Sequence, residues 1–127
     1  MNTTDYPKFK NMNPQLLVTD LSRSVEFYSK MLGFQVSFCY EDFYCGITKD
    51  NHSIHLKQVH ATISAANKDG ENLDLLFSVE EIERLYKDLK AGEATIIQPL
   101  RTMPYGREFY IADPDKHIIA FVEENNS

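Results

Sequence analysis

One spacing that occurs twice constrains this chain more than any other feature. Val18 lies in a short apolar run, Gln15 to Thr19, and Gly33 follows it after fourteen intervening residues. Phe77 ends a second run, Leu73 to Phe77, and Gly92 follows it after the same fourteen. Between each pair lies a segment of helical periodicity. Leu21, Val25, Tyr28 and Leu32 are four, three and four apart in the first, and Ile82, Leu85, Tyr86 and Leu89 make the stripe of the second. Asp20 or Ser22 offers the first helix an N-cap, and Ser78-Val-Glu-Glu81 reads as a capping box for the second. The glycines supply the stops, Gly33 as a natural C′ residue. The pattern predicts helices over 21–32 and 79–91, each entered from a strand.

Three short aromatic or β-branched runs follow each helix. In the first half they are Phe34 to Tyr40, Phe43 to Thr48 and Ser53 to Val59, parted by Glu41-Asp42 and Lys49-Asp50-Asn51. In the second they are Ala94 to Gln98, Arg107 to Ala112 and His117 to Glu123, with a turn at Pro114-Asp115. Each half is therefore β-α-β-β-β. The stretch between them, His60 to Asn72, is small and polar and carries the turn signal Asp69-Gly70. The fold class is α+β, one domain of two βαβββ modules, about 12–59 and 73–124.

One helix covers one face of a four-stranded sheet and leaves the other bare. Two such sheets curling together share a concave cavity, and strand alternation says what lines it. Ile54 and Leu56 suit the helix side, so His55 and Lys57 face the cavity. Leu73, Leu75 and Phe77 face the helix, with Asp74 and Leu76 opposite; Ile119 and Phe121 face it, with Ile118, Ala120 and Val122 opposite. Aromatic residues crowd two strand groups: Phe38, Tyr40, Phe43 and Tyr44 in one, Tyr105, Phe109 and Tyr110 in the other. A cavity walled by aromatics with a few polar groups is the usual make-up of a small-molecule site.

Composition removes other classes. Thirteen basic against nineteen acidic residues give a net charge of −6, and with no basic cluster the chain is a poor partner for nucleic acid. The long-range field of such a chain favours neutral or cationic ligands. No apolar run approaches the roughly twenty residues of a membrane span, and the N-terminus has no signal-peptide core. With only Cys39 and Cys45, a cytoplasmic protein with reduced thiols is expected, although a bridge across the hairpin is geometrically conceivable. No Gly-rich phosphate loop or nucleophile elbow is present.

Two motifs resemble a known family. Asp20-Leu21-x3-Val25-x-Phe27-Tyr28-x3-Leu32-Gly33-Phe34 is similar to the opening of the vicinal oxygen chelate superfamily, which contains glyoxalase I, extradiol dioxygenases, fosfomycin-resistance and bleomycin-resistance proteins. Tyr105-Gly106-Arg107-Glu108-Phe109-x3-Asp113-Pro114-Asp115, read with Ala112 before Asp113, resembles the closing segment of the bleomycin-resistance branch. Tyr105 stands where that branch has Trp, and Lys116 where it has Gly; a non-Gly residue there costs about 1 kcal/mol if it needs positive φ.

The resemblance implies metal-ligand positions at Asn13, His55, Asp74 and Ala120. Ala120 cannot coordinate and an amide is a poor ligand, so one imidazole and one carboxylate fall short of the usual three donors. No metal or other cofactor is expected, unless Glu108 or His117 substitutes. The resemblance also implies a homodimer whose cavities borrow residues from both subunits. The favoured function is a binding protein that sequesters an amphipathic or aromatic small molecule, with His55, Lys57, Asp74, Phe38, Tyr40, Tyr44, Tyr105, Arg107 and Phe109 as ligand contacts. The alternatives are a metal-dependent lyase, isomerase or dioxygenase, and a metal-free enzyme in which Asp74 orients His55 for proton transfer. Arg107 and Glu108 read otherwise as a salt bridge along one strand.

Overall fold

The computed structural model describes residues 6–60 and 72–125, so the Asp69-Gly70 turn lies outside the described residues. The elements are β1 (Gln15–Val18), α1 (Leu21–Leu32), β2 (Gln35–Tyr40), β3 (Tyr44–Lys49), β4 (His52–Gln58), β5 (Leu75–Ser78), α2 (Ile82–Ala91), β6 (Thr95–Met103), β7 (Gly106–Ala112) and β8 (Ile118–Glu124). They form two four-stranded sheets, ordered β1-β4-β3-β2 and β5-β8-β7-β6. In each sheet the first pair is parallel and the others antiparallel. The α+β fold of two βαβββ modules is thus as expected.

Local chemistry accounts for the joints. Asp20 is extended, and its carboxylate accepts from the Arg23 N–H, capping α1. Gly33 closes that helix in the left-handed conformation at φ 80°. Asp50 and Asn51, both at positive φ, make the two-residue turn between β3 and β4, the hand that suits a twisted hairpin. Lys116 does take positive φ, at 69°.

Three expectations need correction. The capping box does not form: Ser78 stays in β5 and its hydroxyl donates to Glu124. The α2 helix instead starts after Glu81, and its first amide, Ile82 N–H, donates to the Glu123 carboxylate from β8. A tertiary cap has replaced the local one. At the far end the helix stops at Gly92 as expected, and the residue after it, Glu93, takes the left-handed conformation. The sixth strand does not stop at Gln98 but runs through Pro99 to Met103. It is an edge strand with register shifts on either side of Gln98, the setting in which a sheet tolerates proline. Finally, Cys39 and Cys45 are joined by a disulfide rather than left as thiols. The β2–β3 register sets them directly opposite, with Cα atoms 4.1 Å apart, the close spacing of a facing antiparallel pair.

One core serves both modules. Val18, Tyr28, Ile47, Ile54, Leu56, Ile82, Phe109, Ile111 and Ile119 are essentially fully buried in it. Phe34 and Phe77 meet across the modules with ring centroids 6.2 Å apart. The β7–β8 turn docks on α1. Tyr28 donates its hydroxyl to Asp113 at 2.8 Å, and the Thr19 hydroxyl donates to Asp115 at 2.6 Å. Burial, then the neighbouring Asp113 charge, pushes the Tyr28 hydroxyl up; burial likewise raises the Asp113 carboxyl. His117, buried, reaches the Leu17 carbonyl through Nε2 at 2.8 Å. These contacts lie on the helix side of the sheets and at the β7–β8 turn. Among the described residues no helix is long and apolar enough to cross a membrane.

Candidate functional site

On the first sheet the side chains take the faces that alternation assigns them. Ile54 and Leu56 enter the core, so His55 and Lys57 lie on the open face of the first sheet, away from α1. The register sets Gly46 beside His55, Tyr44 beside Lys57, Phe38 beside Gly46 and Tyr40 beside Tyr44. Four rings therefore share one patch. Phe38 lies 5.4 Å from Tyr40, 6.3 Å from Tyr44 in a stacked arrangement, and 5.3 Å from the His55 imidazole.

Gly46 makes this possible. The Phe38 ring lies over it so closely that an added Cβ would meet Phe38 Cζ at 2.7 Å. Tyr40 is 62% exposed, and Phe38, Phe43 and Leu17 also keep large apolar surfaces in solvent. A polar chain runs beside the rings. Tyr44 donates its hydroxyl to Gln15 Oε1 at 3.0 Å and meets His55 Nδ1 at 2.9 Å.

The second sheet carries a different cluster. Glu108, 3% exposed, receives Arg101 Nε at 2.8 Å, the Tyr105 hydroxyl at 2.5 Å and the Tyr110 hydroxyl at 3.0 Å. Burial alone would raise its carboxyl; the hydrogen bonds from Tyr105, Arg101 and Tyr110 overcome this and hold it below the ordinary range. The same bond, with burial, pushes Tyr105 up to about 12. Arg101 lies in the part of β6 beyond Pro99, so reading proline as a strand end hid it.

Two expected contacts lie on the wrong face. Phe109 is fully buried between Phe121 and Tyr86, and Arg107 pairs with Glu83 of α2. Both point to the helix side because neighbouring strand residues alternate. The Arg107–Glu108 bridge along the strand is absent for the same reason, and Glu108 pairs across to Arg101 instead.

Asp74 precedes β5, and its carboxylate accepts the Ile118 N–H at 2.8 Å. His55 has its Nδ1 on Tyr44. The orienting bond considered between Asp74 and His55 is therefore not the one shown by either group. Ala120 is fully buried beside Tyr110 and Ile118, and Asn13 precedes β1 at the rim of a groove. Among the described residues no three His, Cys, Asp or Glu side chains are grouped to hold a metal. The residues at the four family positions do not fit a metal: they supply one amide, one imidazole, one committed carboxylate and a methyl. Glu108 is committed to Arg101, and His117 to the Leu17 carbonyl, with Nδ1 3.8 Å from Asp74.

The groove, about 720 Å³, runs along the module junction on the core side. Phe34, Leu75, Phe77, Leu85 and Phe121 form its apolar wall, and Asn13 is at its rim. Nothing in the sequence reading pointed to it.

The paired βαβββ modules and their opening and closing motifs define a class of protein. A family model described as the Glyoxalase/Bleomycin resistance protein/Dioxygenase superfamily matches residues 12–121, and the chain belongs to that superfamily. The fold is similar to that of a bleomycin-binding protein from Streptomyces verticillus, crystallised with copper(II)-bleomycin: TM-score 0.73, 22% identity, covering 94% of this chain and 100% of that one. It is also similar to the fosfomycin resistance protein FosX from Listeria monocytogenes, with TM-score 0.75, 16% identity and coverage of 94% and 96%. A lactoylglutathione lyase from Agrobacterium tumefaciens gives TM-score 0.71, 16% identity and coverage of 93% and 96%. At such identities the likeness is one of fold. No curated protein sequence matches the chain significantly.

Proposed function

We propose that this protein binds a planar, amphipathic small molecule against the open face of the first sheet without transforming it. The observation that carries the reading is the patch of Phe38, Tyr40 and Tyr44 beside His55, partly in solvent and set on Gly46. Aromatic surface held open on a rigid sheet binds flat ligands by stacking and apolar burial. The poor fit of the family metal positions favours binding over metal-dependent chemistry, and a protein of the same fold is described in complex with bleomycin.

A second copy completes the cavity in this reading. The contacts between modules lie on the helix side and at the turn, and a two-fold partner is the default way to cover open faces. In that arrangement the Tyr105–Glu108–Arg101 cluster of one chain forms the polar wall opposite the aromatic face of its partner.

The chain has seven tyrosines and no tryptophan, and Tyr40 and Tyr44 lie in the patch, so tyrosine emission responds to a ligand bound there. Titration with planar aromatic compounds is expected to quench it saturably. Tyr40→Ala should weaken binding about tenfold, as befits loss of one stacking ring. Sedimentation alongside should give twice the 14.7 kDa chain mass. A Tyr40→Ala protein that binds like its parent contradicts the reading.

A further inference from the structure

We infer that the Cys39–Cys45 disulfide is a thiol–disulfide exchange site whose substrate is a dithiol reductant, and that opening it releases the Phe38 and Tyr40 rings from the binding face. The inference rests on the binding reading above and adds the regulation of that face.

Register carries the first step. Cys39 pairs with Cys45, and the rungs on either side pair Phe38 with Gly46 and Tyr40 with Tyr44. The bridge therefore fastens the rung between the two that seat the rings. Alternation turns it to the other side of the sheet, where Cys45 packs into the core.

Little else holds this stretch of β2. It is an edge strand, paired only with β3. All six of its residues are exposed, and none belongs to the core. Its register is broken between Val36 and Phe38. The turn that follows has Glu41 at φ 48°, a conformation that favours glycine, and closes on a 3.4 Å bond from the Phe43 N–H to the Tyr40 carbonyl. Tyr44 and His55, by contrast, stand on β3 and β4, which are paired on both sides. The cysteines are six positions apart, and the stabilisation a bridge confers grows with the loop it closes. Closing so short a loop adds little to the whole fold, so the grip of this bridge is local, on β2.

Accessibility supplies the second step. Cys39 is exposed at the sheet edge, whereas Cys45 is buried. A thiolate of the reductant therefore attacks the Cys39 sulfur. The S–S bond breaks, a mixed disulfide forms on Cys39, and Cys45 leaves as a thiolate that takes up a proton. The second thiolate of the reductant then attacks the reductant's own sulfur in the mixed disulfide. Cys39 leaves and is protonated in turn, and the reductant departs as a cyclic disulfide. Two electrons and two protons have passed to the protein. With the bridge open, β2 separates from β3 for part of the time. Phe38 then leaves its stack on Tyr44, and Tyr40 moves with it. A strand seated about one tenth of the time lowers the apparent affinity of the face about tenfold.

The test uses dithiothreitol as the dithiol and 2-naphthol as a planar, amphipathic probe, read by tyrosine quenching of the whole chain. Alkylation in denaturant should find no thiol before dithiothreitol treatment and both cysteines after it. The reduced protein should bind 2-naphthol about tenfold more weakly than the oxidised one, and reoxidation should restore binding. Hydrogen exchange should quicken at the β2 amides on reduction, while β4 and β8 keep their protection. Cys39→Ser should bind as the reduced form does and ignore dithiothreitol. Equal binding by the two forms, or a bridge that dithiothreitol leaves intact in the folded protein, overturns the switch and leaves the aromatic-face reading standing. Loss of protection throughout both sheets on reduction overturns it as well, since the bridge would then be holding the fold. If neither form binds 2-naphthol, the binding reading fails and the switch fails with it.

Discussion

A Gly106→Ala chain is expected to lose a large share of its folding stability. Gly106 opens β7 at φ 149°, a conformation that L side chains rarely adopt. A Cβ there would run into the Glu123 carbonyl oxygen and lie 2.8 Å from Glu124 Cα. Both belong to the backbone of β8, which pairs with Gly106 at Glu124. Relief requires the end of the β7–β8 ladder to open, and Glu123 supplies the cap of α2 from that same stretch. Strained φ and a backbone clash together should cost about 3–5 kcal/mol, against a total of about 5–15 for a domain. Urea unfolding measures it. A midpoint that moves by less than about 0.5 kcal/mol-equivalent would show that the strand end yields freely.

Gly46→Ala is expected to do the opposite, sparing the fold and damaging the site. The added methyl enters the space of the Phe38 ring, 2.7 Å from Cζ and 2.8 Å from Cδ1. What it meets is a side chain on an exposed edge strand, so the ring can swing aside at a cost of about 1 kcal/mol. The stacked contact with Tyr44 and the edge contact with His55 then disappear. Affinity for planar ligands should fall about tenfold or more. Combining Gly46→Ala with Phe38→Ala should cost no more than Phe38→Ala alone, because both act through the same ring. Additive losses, or a Gly46→Ala protein that binds normally, would mean that the ring's seat is not what the ligand uses.

The core and the first half of the site were legible because they follow from alternation and helical spacing alone. Ile54 and Leu56 inward leave His55 and Lys57 outward, and the hairpin register follows from the Asp50-Asn51 turn. The same rule applied to β7 assigns Phe109 and Ile111 to the core and Glu108 to the open face; grouping Arg107 with the site followed the motif, and grouping Phe109 followed the crowding of aromatics, rather than the alternation. What the sequence did not reveal depends on long-range geometry. Arg101 reaches Glu108 only because an edge strand passes through Pro99. The cap of α2 comes from Glu123, forty-one residues from Ile82, where no local pattern can show it. The disulfide depends on Cys39 and Cys45 being in register, which a composition argument about thiols does not address.

The central claim is that ligand meets this protein on the Phe38–Tyr40–Tyr44 face. Ring-resolved NMR of protein labelled at phenylalanine and tyrosine, titrated with a planar compound found by tyrosine quenching, tests it most directly. Saturable ring-current shifts should appear at Phe38, Tyr40 and Tyr44, with Tyr28, Tyr86 and Phe109 in the core unmoved. Shifts confined to Phe34, Phe77 and Phe121 would place the ligand in the junction groove instead and contradict the account.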